Sequence, residues 1–197
     1  MSEPLPLRPV VSHEVVHTSG PFTVVAQKIR GEDGVEHDRT SIRHPGAVVV
    51  VPILETPEGP MVVLVRNERH AIESWLDELP AGGIEPGEEP IVAAARELRE
   101  ETGYEAATVE PLGRFYTSPG LTNEWMEAFV ATGLRQVGQD LDAGEVLTVH
   151  PVLVGELFSR VDDGTLTDGK TMLGLLLARW KGWFAGESWP TNDRELG

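Results

Sequence analysis

The chain of 197 residues contains no cysteine. This absence excludes disulfides, thiolate nucleophiles and zinc sites built on sulfur. Long apolar runs are missing too, because no segment approaches the roughly 18 consecutive apolar residues that would span a bilayer. The first ten residues, MSEPLPLRPV, also lack the basic stretch followed by an apolar one that marks a secretory signal. We therefore expect a cytoplasmic protein that has no membrane partner.

Positive charge is scarce as well. The chain has 16 Lys and Arg against 32 Asp and Glu, which gives a formal net charge of -16 at pH 7. Such a surface repels the phosphate backbone that basic proteins neutralise, so we expect no nucleic acid partner. A free nucleotide would be repelled for the same reason. Any phosphate site here needs an added cation or a local cluster of arginines, and a divalent metal is the natural candidate.

The pattern along the chain predicts mixed strands and helices. With 197 residues and 40% hydrophobic residues, one globular domain is expected. Strands separated by helices indicate an α/β or α+β sandwich. Strands are predicted at residues 14–17, 22–29, 35–42, 47–54, 61–66, 108–116, 125–132 and 146–149, and helices at 90–102, 152–162 and 170–184.

The predicted helix at 90–102 has an unusual acidic end. At about 100° per residue, Glu97, Glu100 and Glu101 share one arc of the helix surface. Glu97 and Glu101 form a like-charge i,i+4 pair, and the helix macrodipole also disfavours negative charge near the C-terminus. Such local violations tend to occur at functional sites. A hard divalent cation, which prefers carboxylate oxygens, would relieve the repulsion.

Two arginines in the same run bear on this interpretation. On the helical wheel, Arg96 and Arg99 point mainly to the other side of the helix and relieve only part of the repulsion. A run such as RELREE is by itself also compatible with a solvated Glu/Arg face. Upstream, however, the Gly/Pro-rich loop at residues 81–88, AGGIEPGE, brings backbone close to the helix start. Loop and helix together form one candidate site.

The spacing of this unit resembles a known family. Gly82, five residues, Glu88, seven residues and then RELREETGY at residues 96–104 resemble the complete Nudix box, with every defined position occupied. The resemblance implies an α/β fold, a Nudix α/β/α sandwich with a mixed sheet, plus a small N-terminal antiparallel β-sheet. It also implies hydrolysis of a nucleoside diphosphate linked to another moiety, X.

The same resemblance implies roles for the residues of the box. The metal would be Mg²⁺, with Mn²⁺ as a substitute. Groups that orient metal ligands are part of such sites, and a long arginine within reach of carboxylates suits that task. The implied metal ligands are Glu97 and Glu101, with Glu100 as an accessory ligand and the Ala81 carbonyl as a backbone ligand, and the implied orienting positions are Gly82, Glu88 and Arg96.

The flanks of the box resemble one subfamily. Residues 115–124, FYTSPGLTNE, place Pro119 sixteen residues after Gly103, which resembles the ADP-ribose pyrophosphatase signature. The subfamily likeness implies ADP-ribose as the substrate, with AMP and ribose 5-phosphate as products. Ser-Pro-Gly is also a plain turn sequence. A nucleotide-sugar or dinucleotide pyrophosphatase, and a noncatalytic sensor of ADP-ribose, remain as alternatives.

For the general base and for the substrate contacts, the sequence leaves alternatives open. Glu145 best matches the subfamily position of a catalytic glutamate, with Asp142 in reserve, and Glu145 as a plain loop charge is the alternative. Arg66 or Arg69 would fork to a phosphate, unless they form surface ion pairs. The predicted substrate-binding residues are Arg66, Arg69, Pro119 and Glu124.

The subfamily likeness also implies a homodimer. Residues 1–45 are expected to hold a tail and a small sheet that packs onto a partner, residues 46–185 the Nudix hydrolase domain, and residues 186–197 a flexible tail. A short hairpin layer buries little surface by itself, which is consistent with dimerisation.

Overall fold

A computed structural model describes residues 6–141, 144 and 146–186 of the chain. The chain divides into two compact units. Met1–Gly46 and Tyr116–Trp125 form the first unit, and Ala47–Phe115 and Met126–Gly197 form the second. Among the described residues, none of the helices is long and apolar enough to cross a membrane. The C-terminal tail predicted at 186–197 lies outside the described residues except for Gly186.

The first unit contains a three-stranded antiparallel sheet. Its strands are β1 (Val10–Ser19), β2 (Phe22–Arg30) and β3 (Glu36–Arg43), in the order β1-β2-β3. Gly34 adopts a positive φ of 78° in the turn before β3, which a residue without a side chain adopts readily. The predicted hairpin is confirmed, although β1 is longer than the four residues expected.

A mixed seven-stranded sheet forms the second unit around strand β4 (Ala47–Thr56). Strand order is β12-β5-β4-β10-β9, with β6 paired to β5 and β7 paired to β4. β10 runs parallel to β4, whereas β5 and β7 run antiparallel to it. The other members are β5 (Gly59–Arg69), β6 (Ser74–Glu78), β7 (Ala81–Gly83), β9 (Thr108–Tyr116), β10 (Trp125–Thr132) and β12 (Leu147–Leu153).

Helices cover both faces of this sheet. Successive side chains of a strand point to opposite faces, so β4 contributes to two cores. Val48 and Val50 pack in a cluster with Ala93, Ala94 and Leu98. The alternate valines of β4 join the larger cluster with α2 and α3. The helices are α1 (Pro90–Thr102), α2 (Val154–Asp162) and α3 (Gly169–Trp180), and a two-stranded sheet pairs β8 (Tyr104–Glu105) with β11 (Arg135–Gln136).

Most predicted elements are confirmed, and some bounds are corrected. Helix α1 and strands β9 and β10 have the predicted bounds. Strand β12 begins at Leu147 and continues to Leu153, beyond the predicted 146–149. Helix α3 ends at Trp180 rather than 184. The short strands β6 and β7 were not predicted from the sequence.

Candidate metal centre

Helix α1 is well delimited by its end residues. Pro90 occupies the first turn, where its missing N–H would have no helical partner. Gly103 ends the helix in the left-handed region with φ 72°, and its N–H donates to the Arg99 carbonyl at 2.9 Å. The buried stripe of Ala93, Ala94 and Leu98 fixes which face meets the sheet. The acidic residues of the last turns are thereby held at one edge of that stripe.

These carboxylates converge on one pocket. The pocket has a volume of about 170 Å³. Glu101, although charged, is only 6% exposed. Its Oε2 accepts a hydrogen bond from the Ala81 N–H at 3.0 Å. The residues that line the pocket are Ala81, Gly82, Gly83, Arg96, Glu97, Glu100 and Glu101.

Strand β7 presents backbone oxygens to this pocket. In an antiparallel pair, a residue bonds through both its N–H and its C=O to the same side. The Ala81 N–H points at Glu101 and the Gly83 carbonyl accepts from Arg96, so both residues face α1 while Gly82 is paired with Val48 of β4. The Ala81 carbonyl is therefore on the pocket side, where the resemblance requires a backbone ligand.

Gly82 allows the close approach of helix and strand. A methyl group built at Gly82 would overlap the Glu97 carboxylate. Gly83, one residue further, has open space at the same position. A side chain at Gly82 would therefore displace Glu97, which gives the predicted orienting position a steric basis.

Arg96 lies among the carboxylates. Its guanidinium donates to Glu88 through Nε at 2.9 Å and through NH2 at 3.0 Å, to Glu97 at 2.7 Å and to Glu100 at 3.1 Å. These bonds raise the pKa of Arg96, the bond to Glu88 most, and they lower the pKa of Glu88. The expectation that Arg96 points mainly away from the carboxylates is wrong, because its long side chain turns back toward the loop. Arg99 also approaches Glu100, at 3.5 Å.

The donor set suits a hard cation. Carboxylate and backbone oxygens are the ligands that Mg²⁺ and similar ions take. Three carboxylates, those of Glu88, Glu97 and Glu100, bind the Arg96 guanidinium, and Glu101 lines the same pocket as Glu97 and Glu100. Within the described ranges, no three acidic, histidine or cysteine side chains already form a ligand set. Arg96 and the Ala81 N–H hold these carboxylates, so a metal has to draw them away from protein donors.

The segment that follows β11 caps the C-terminal end of α1. The N–H groups of Val137 and Gly138 donate to the Gly103 carbonyl at 2.7 and 3.1 Å. The Asp140 N–H donates to the Glu100 carbonyl at 3.1 Å, and Gln139 Nε2 donates to the Glu101 carbonyl at 2.7 Å. The candidates for the general base, Glu145 and Asp142, follow this segment and lie outside the described residues.

Arg66 and Arg69 are engaged with buried carboxylates. Arg66 makes two hydrogen bonds to Asp77, at 2.8 and 3.1 Å, and Arg160 of α2 makes a third at 2.6 Å. Burial favours a raised pKa for Asp77, but the bonds from Arg66 and Arg160 outweigh it and lower the pKa to about 2. A pocket of about 400 Å³, also lined by Trp75 and Thr167, borders this cluster.

Arg69 belongs to a neighbouring group. Its guanidinium binds Glu78 through two bonds of 2.7 and 2.6 Å, and Lys170 also donates to Glu78. Burial opposes ionisation of Glu78, yet these cations lower its pKa. The bond to Glu78, the largest cause, raises the pKa of Arg69 although burial lowers it, with smaller raising contributions from the charges of Asp168 and Glu101.

Pro119 and Glu124 lie in the first unit. The turn that contains Pro119 is closed by the Leu121 N–H donating to the Ser118 carbonyl at 2.9 Å. The Glu124 carboxylate accepts from the Thr117 hydroxyl at 2.6 Å. Neither residue belongs to the unit that holds the metal pocket.

Four residues of these clusters were missed from the sequence: Asp77, Glu78, Lys170 and Gln139. The adjacent acids in Trp-Leu-Asp-Glu-Leu were a visible signal. Their partners are far along the chain, however, with Arg160 83 positions from Asp77 and Lys170 92 positions from Glu78. Local spacing cannot reveal such pairs.

The chain is similar to known proteins over most of its length. A NUDIX domain model matches residues 43–172. An ADP-ribose pyrophosphatase of Bacillus subtilis (strain 168) is 32% identical over 163 residues, covering 82% of this chain and 86% of that protein. An ADP-ribose pyrophosphatase of Mycobacterium tuberculosis (strain ATCC 25618 / H37Rv) is 34% identical over 169 residues, covering 84% and 80%.

Fold similarity extends over nearly the whole chain. The crystal structure of an ADP compounds hydrolase superposes with a TM-score of 0.80 at 24% identity, covering 95% of this chain and 100% of that one. An α/β/α sandwich with an acidic loop and helix at one pocket is the architecture of a family of hydrolases. The chain belongs to the Nudix family. The predictions of family, fold class and enzyme are confirmed.

Proposed function

We propose that this Nudix hydrolase cleaves the diphosphate bond of ADP-ribose to give AMP and ribose 5-phosphate. The observation that carries the proposal is the single pocket on which Glu97, Glu100 and Glu101 converge with the backbone of β7. The names of the two relatives, both ADP-ribose pyrophosphatases, support the choice of substrate.

In this proposal Glu97, Glu101 and Glu100, with the Ala81 carbonyl, hold Mg²⁺, and Mn²⁺ can replace it. A bound divalent ion neutralises phosphate charge and lowers the pKa of a bound water. Arg96 and Glu88 position the carboxylates through the bonds between them. Bound metal would thus allow this acidic pocket to receive a diphosphate.

Glu145 accepts the proton of the attacking water in this proposal, with Asp142 as the reserve. Glu145→Gln should lower kcat by roughly 10² to 10⁴ and change the metal requirement little, whereas Asp142→Asn should be mild. The reverse order would move the role to Asp142. Indifference to both substitutions would leave water activation to the metal and the box glutamates.

The substrate contacts of this proposal are Arg66, Arg69, Pro119 and Glu124. Arg69 is tested first, because Glu101, which lines the acidic pocket, is one of the charges that raise its pKa. Arg69→Lys keeps the charge but loses the planar fork that grips Glu78 or a phosphate. A raised KM for ADP-ribose would support the assignment, and an unchanged KM would remove Arg69 from it.

The decisive experiment is a panel of nucleoside diphosphate compounds incubated with Mg²⁺ and with EDTA, followed by identification of the phosphorylated products. ADP-ribose should be cleaved fastest and EDTA should abolish cleavage. Faster hydrolysis of a nucleotide sugar or a dinucleotide would change the substrate and keep the metal mechanism. Binding of ADP-ribose without cleavage of any compound would favour the noncatalytic sensor.

We further propose a cytoplasmic homodimer in which residues 1–45 contribute to the interface. All ten residues of β1 are exposed, and Val10, Val11, Val15 and Val16 are among them. A second copy of the sheet would cover these apolar side chains. Light scattering at micromolar concentration should give twice the chain mass, and a monomer would contradict the dimer.

A further inference from the structure

We propose that Gln139 is a positioning residue for the metal centre, holding the last turn of α1 through a neutral hydrogen-bond donor. The proposal rests on the proposed function in taking Glu101 as a metal ligand. Gln139 Nε2 donates to the Glu101 carbonyl at 2.7 Å, and the Glu101 side chain bonds the Ala81 N–H at 3.0 Å. Glu101 is therefore held at its backbone from one side and at its carboxylate from the other.

The end of α1 needs such a support. The last carbonyls of a helix have no partner within the helix, and here the acidic side chains of the same turns repel one another. Residues 137–140 supply partners for these carbonyls, because they donate to the carbonyls of Glu100, Glu101 and Gly103. The helix end is thus completed by protein donors from another part of the chain.

Close packing fixes this segment against the helix. A methyl group at Gly103 would come within 2.8 Å of the Gly138 carbonyl carbon and the Gln139 nitrogen. The backbone of 138–139 therefore lies directly on the helix end, and Gln139 cannot shift away without breaking the contact. Gln139 is thereby held where its side chain reaches the Glu101 carbonyl.

The absence of charge on Gln139 has a chemical reason. Lysine and arginine near a helix C-terminus also donate to terminal carbonyls and interact favourably with the dipole. At the end of α1, however, a cation in addition to Arg96 and Arg99 would compete with a metal for the carboxylates of Glu97, Glu100 and Glu101. An amide supplies the hydrogen bond and leaves the negative charge of the pocket intact.

The test compares metal affinity with stability in three variants. Mn²⁺ binding to the full-length protein is measured by electron paramagnetic resonance without substrate, and Tm is measured in EDTA. Gln139→Ala should weaken Mn²⁺ binding by about 2- to 10-fold, the range for one lost hydrogen bond. Gln139→Glu should weaken it more through repulsion of the carbonyl. Gln139→Lys should keep or raise Tm and still weaken Mn²⁺ binding.

An unchanged or raised Tm together with weaker Mn²⁺ binding in Gln139→Lys is the signature of positioning, because the loss of a merely structural residue would lower both. Gln136→Ala, an exposed glutamine three residues earlier, is the control and should change neither. Mn²⁺ affinity within 1.5-fold of wild type in all three Gln139 variants would overturn the proposal. Wild-type protein that binds Mn²⁺ but cleaves no nucleotide would overturn the proposed function alone.

Discussion

Two clusters of charged residues in the second unit have opposite balances. At the end of α1, the carboxylates of Glu88, Glu97 and Glu100 share the guanidinium of Arg96, Arg99 also approaches Glu100, and Glu101 lines the same pocket. At β6, two buried carboxylates are surrounded by cations. Asp77 pairs with Arg66 and Arg160, and Glu78 pairs with Arg69 and Lys170.

The difference lies in whether cations of the protein itself balance the carboxylates. Buried charges are tolerated when they are paired and hydrogen-bonded, and the β6 cluster satisfies this condition with protein groups alone. The α1 cluster keeps an excess of negative charge that only an added cation can balance. In the sequence both clusters appear only as neighbouring acidic residues. In the structure they differ in the ratio of cations to carboxylates.

The largest expected effect comes from removing a charge of the α1 cluster. Glu101→Gln keeps the size of the side chain and should lower kcat/KM for ADP-ribose by at least about 100-fold, since even groups that only support metal ligands contribute 10- to 100-fold. The Mg²⁺ concentration for half activity should rise. Steady-state kinetics across a Mg²⁺ titration measure both quantities, and a variant with normal Mg²⁺ dependence would remove Glu101 from the ligand set.

A steric change should have the next largest effect. Gly82→Ala places a methyl group on the Glu97 carboxylate, so Glu97 has to turn away. We expect a loss of about 10- to 100-fold in kcat/KM, similar to the loss of a supporting group, with Tm nearly unchanged because the displaced side chain is flexible. Gly83→Ala has open space and should lose far less. Equal losses in the two variants would refute the steric argument.

The β6 cluster should respond in stability rather than in metal binding. Asp77→Asn leaves Arg66 and Arg160 without their buried anion, and breaking such a cluster costs roughly 3 to 5 kcal/mol. Urea unfolding at pH 7 measures this loss, while the Mn²⁺ affinity of the α1 pocket should stay within a factor of two. A large change in metal affinity with little change in unfolding free energy would reverse the comparison.

The same carboxylate predicts a pH dependence. The folded pKa of Asp77 is about 2, below its usual value of 3.8, so the folded state favours the charged form. This contribution is complete above about pH 4 and is lost as the pH falls toward 2. Wild-type unfolding free energy should therefore fall over this window by roughly 2 kcal/mol more than that of Asp77→Asn, at about 1.36 kcal/mol per pKa unit. Parallel curves would contradict the assignment.

The smallest effect is expected for an isolated exposed pair. Arg135 and Glu105 lie 2.6 Å apart with side chains 72% and 47% exposed. Solvent screening leaves such pairs with less than about 1 kcal/mol. Arg135→Ala should therefore change neither Mn²⁺ affinity nor Tm measurably. This variant is the reference against which the effects of the α1 and β6 substitutions are judged. A loss of stability comparable with that of Asp77→Asn would show that burial does not determine how much a charged pair contributes to stability.

The sequence predicted α1 to the residue because its signals are local. Proline at the first turn, glycine at the end and a regular apolar stripe all lie within the segment. Strand β6 was missed, because its consecutive acids Asp77 and Glu78 are both buried and break the alternation expected of a strand. Their burial depends on cations from β5, α2 and α3, which only the folded chain brings close.

For the candidate site, the helical wheel located the carboxylates but misplaced Arg96. A wheel describes the direction of the Cα–Cβ bond, whereas a long arginine reaches several ångströms beyond it and follows the carboxylate of Glu88. The hydrogen bond from Gln139 to the Glu101 carbonyl was not predicted either, since 38 positions separate the two residues. Predictions from spacing therefore hold within an element and fail for contacts that depend on tertiary structure.

The central position of β4 has a consequence for how the chain folds. Its parallel neighbour β10 pairs Met126 with Ala47, so the strand acquires this neighbour only after nearly eighty further residues have been synthesised. Pairing across such a separation slows folding. Until then the run of four valines at 48–51 is a β-prone, uncharged segment of the kind that aggregates when exposed. The yield of refolded protein should therefore fall steeply with protein concentration.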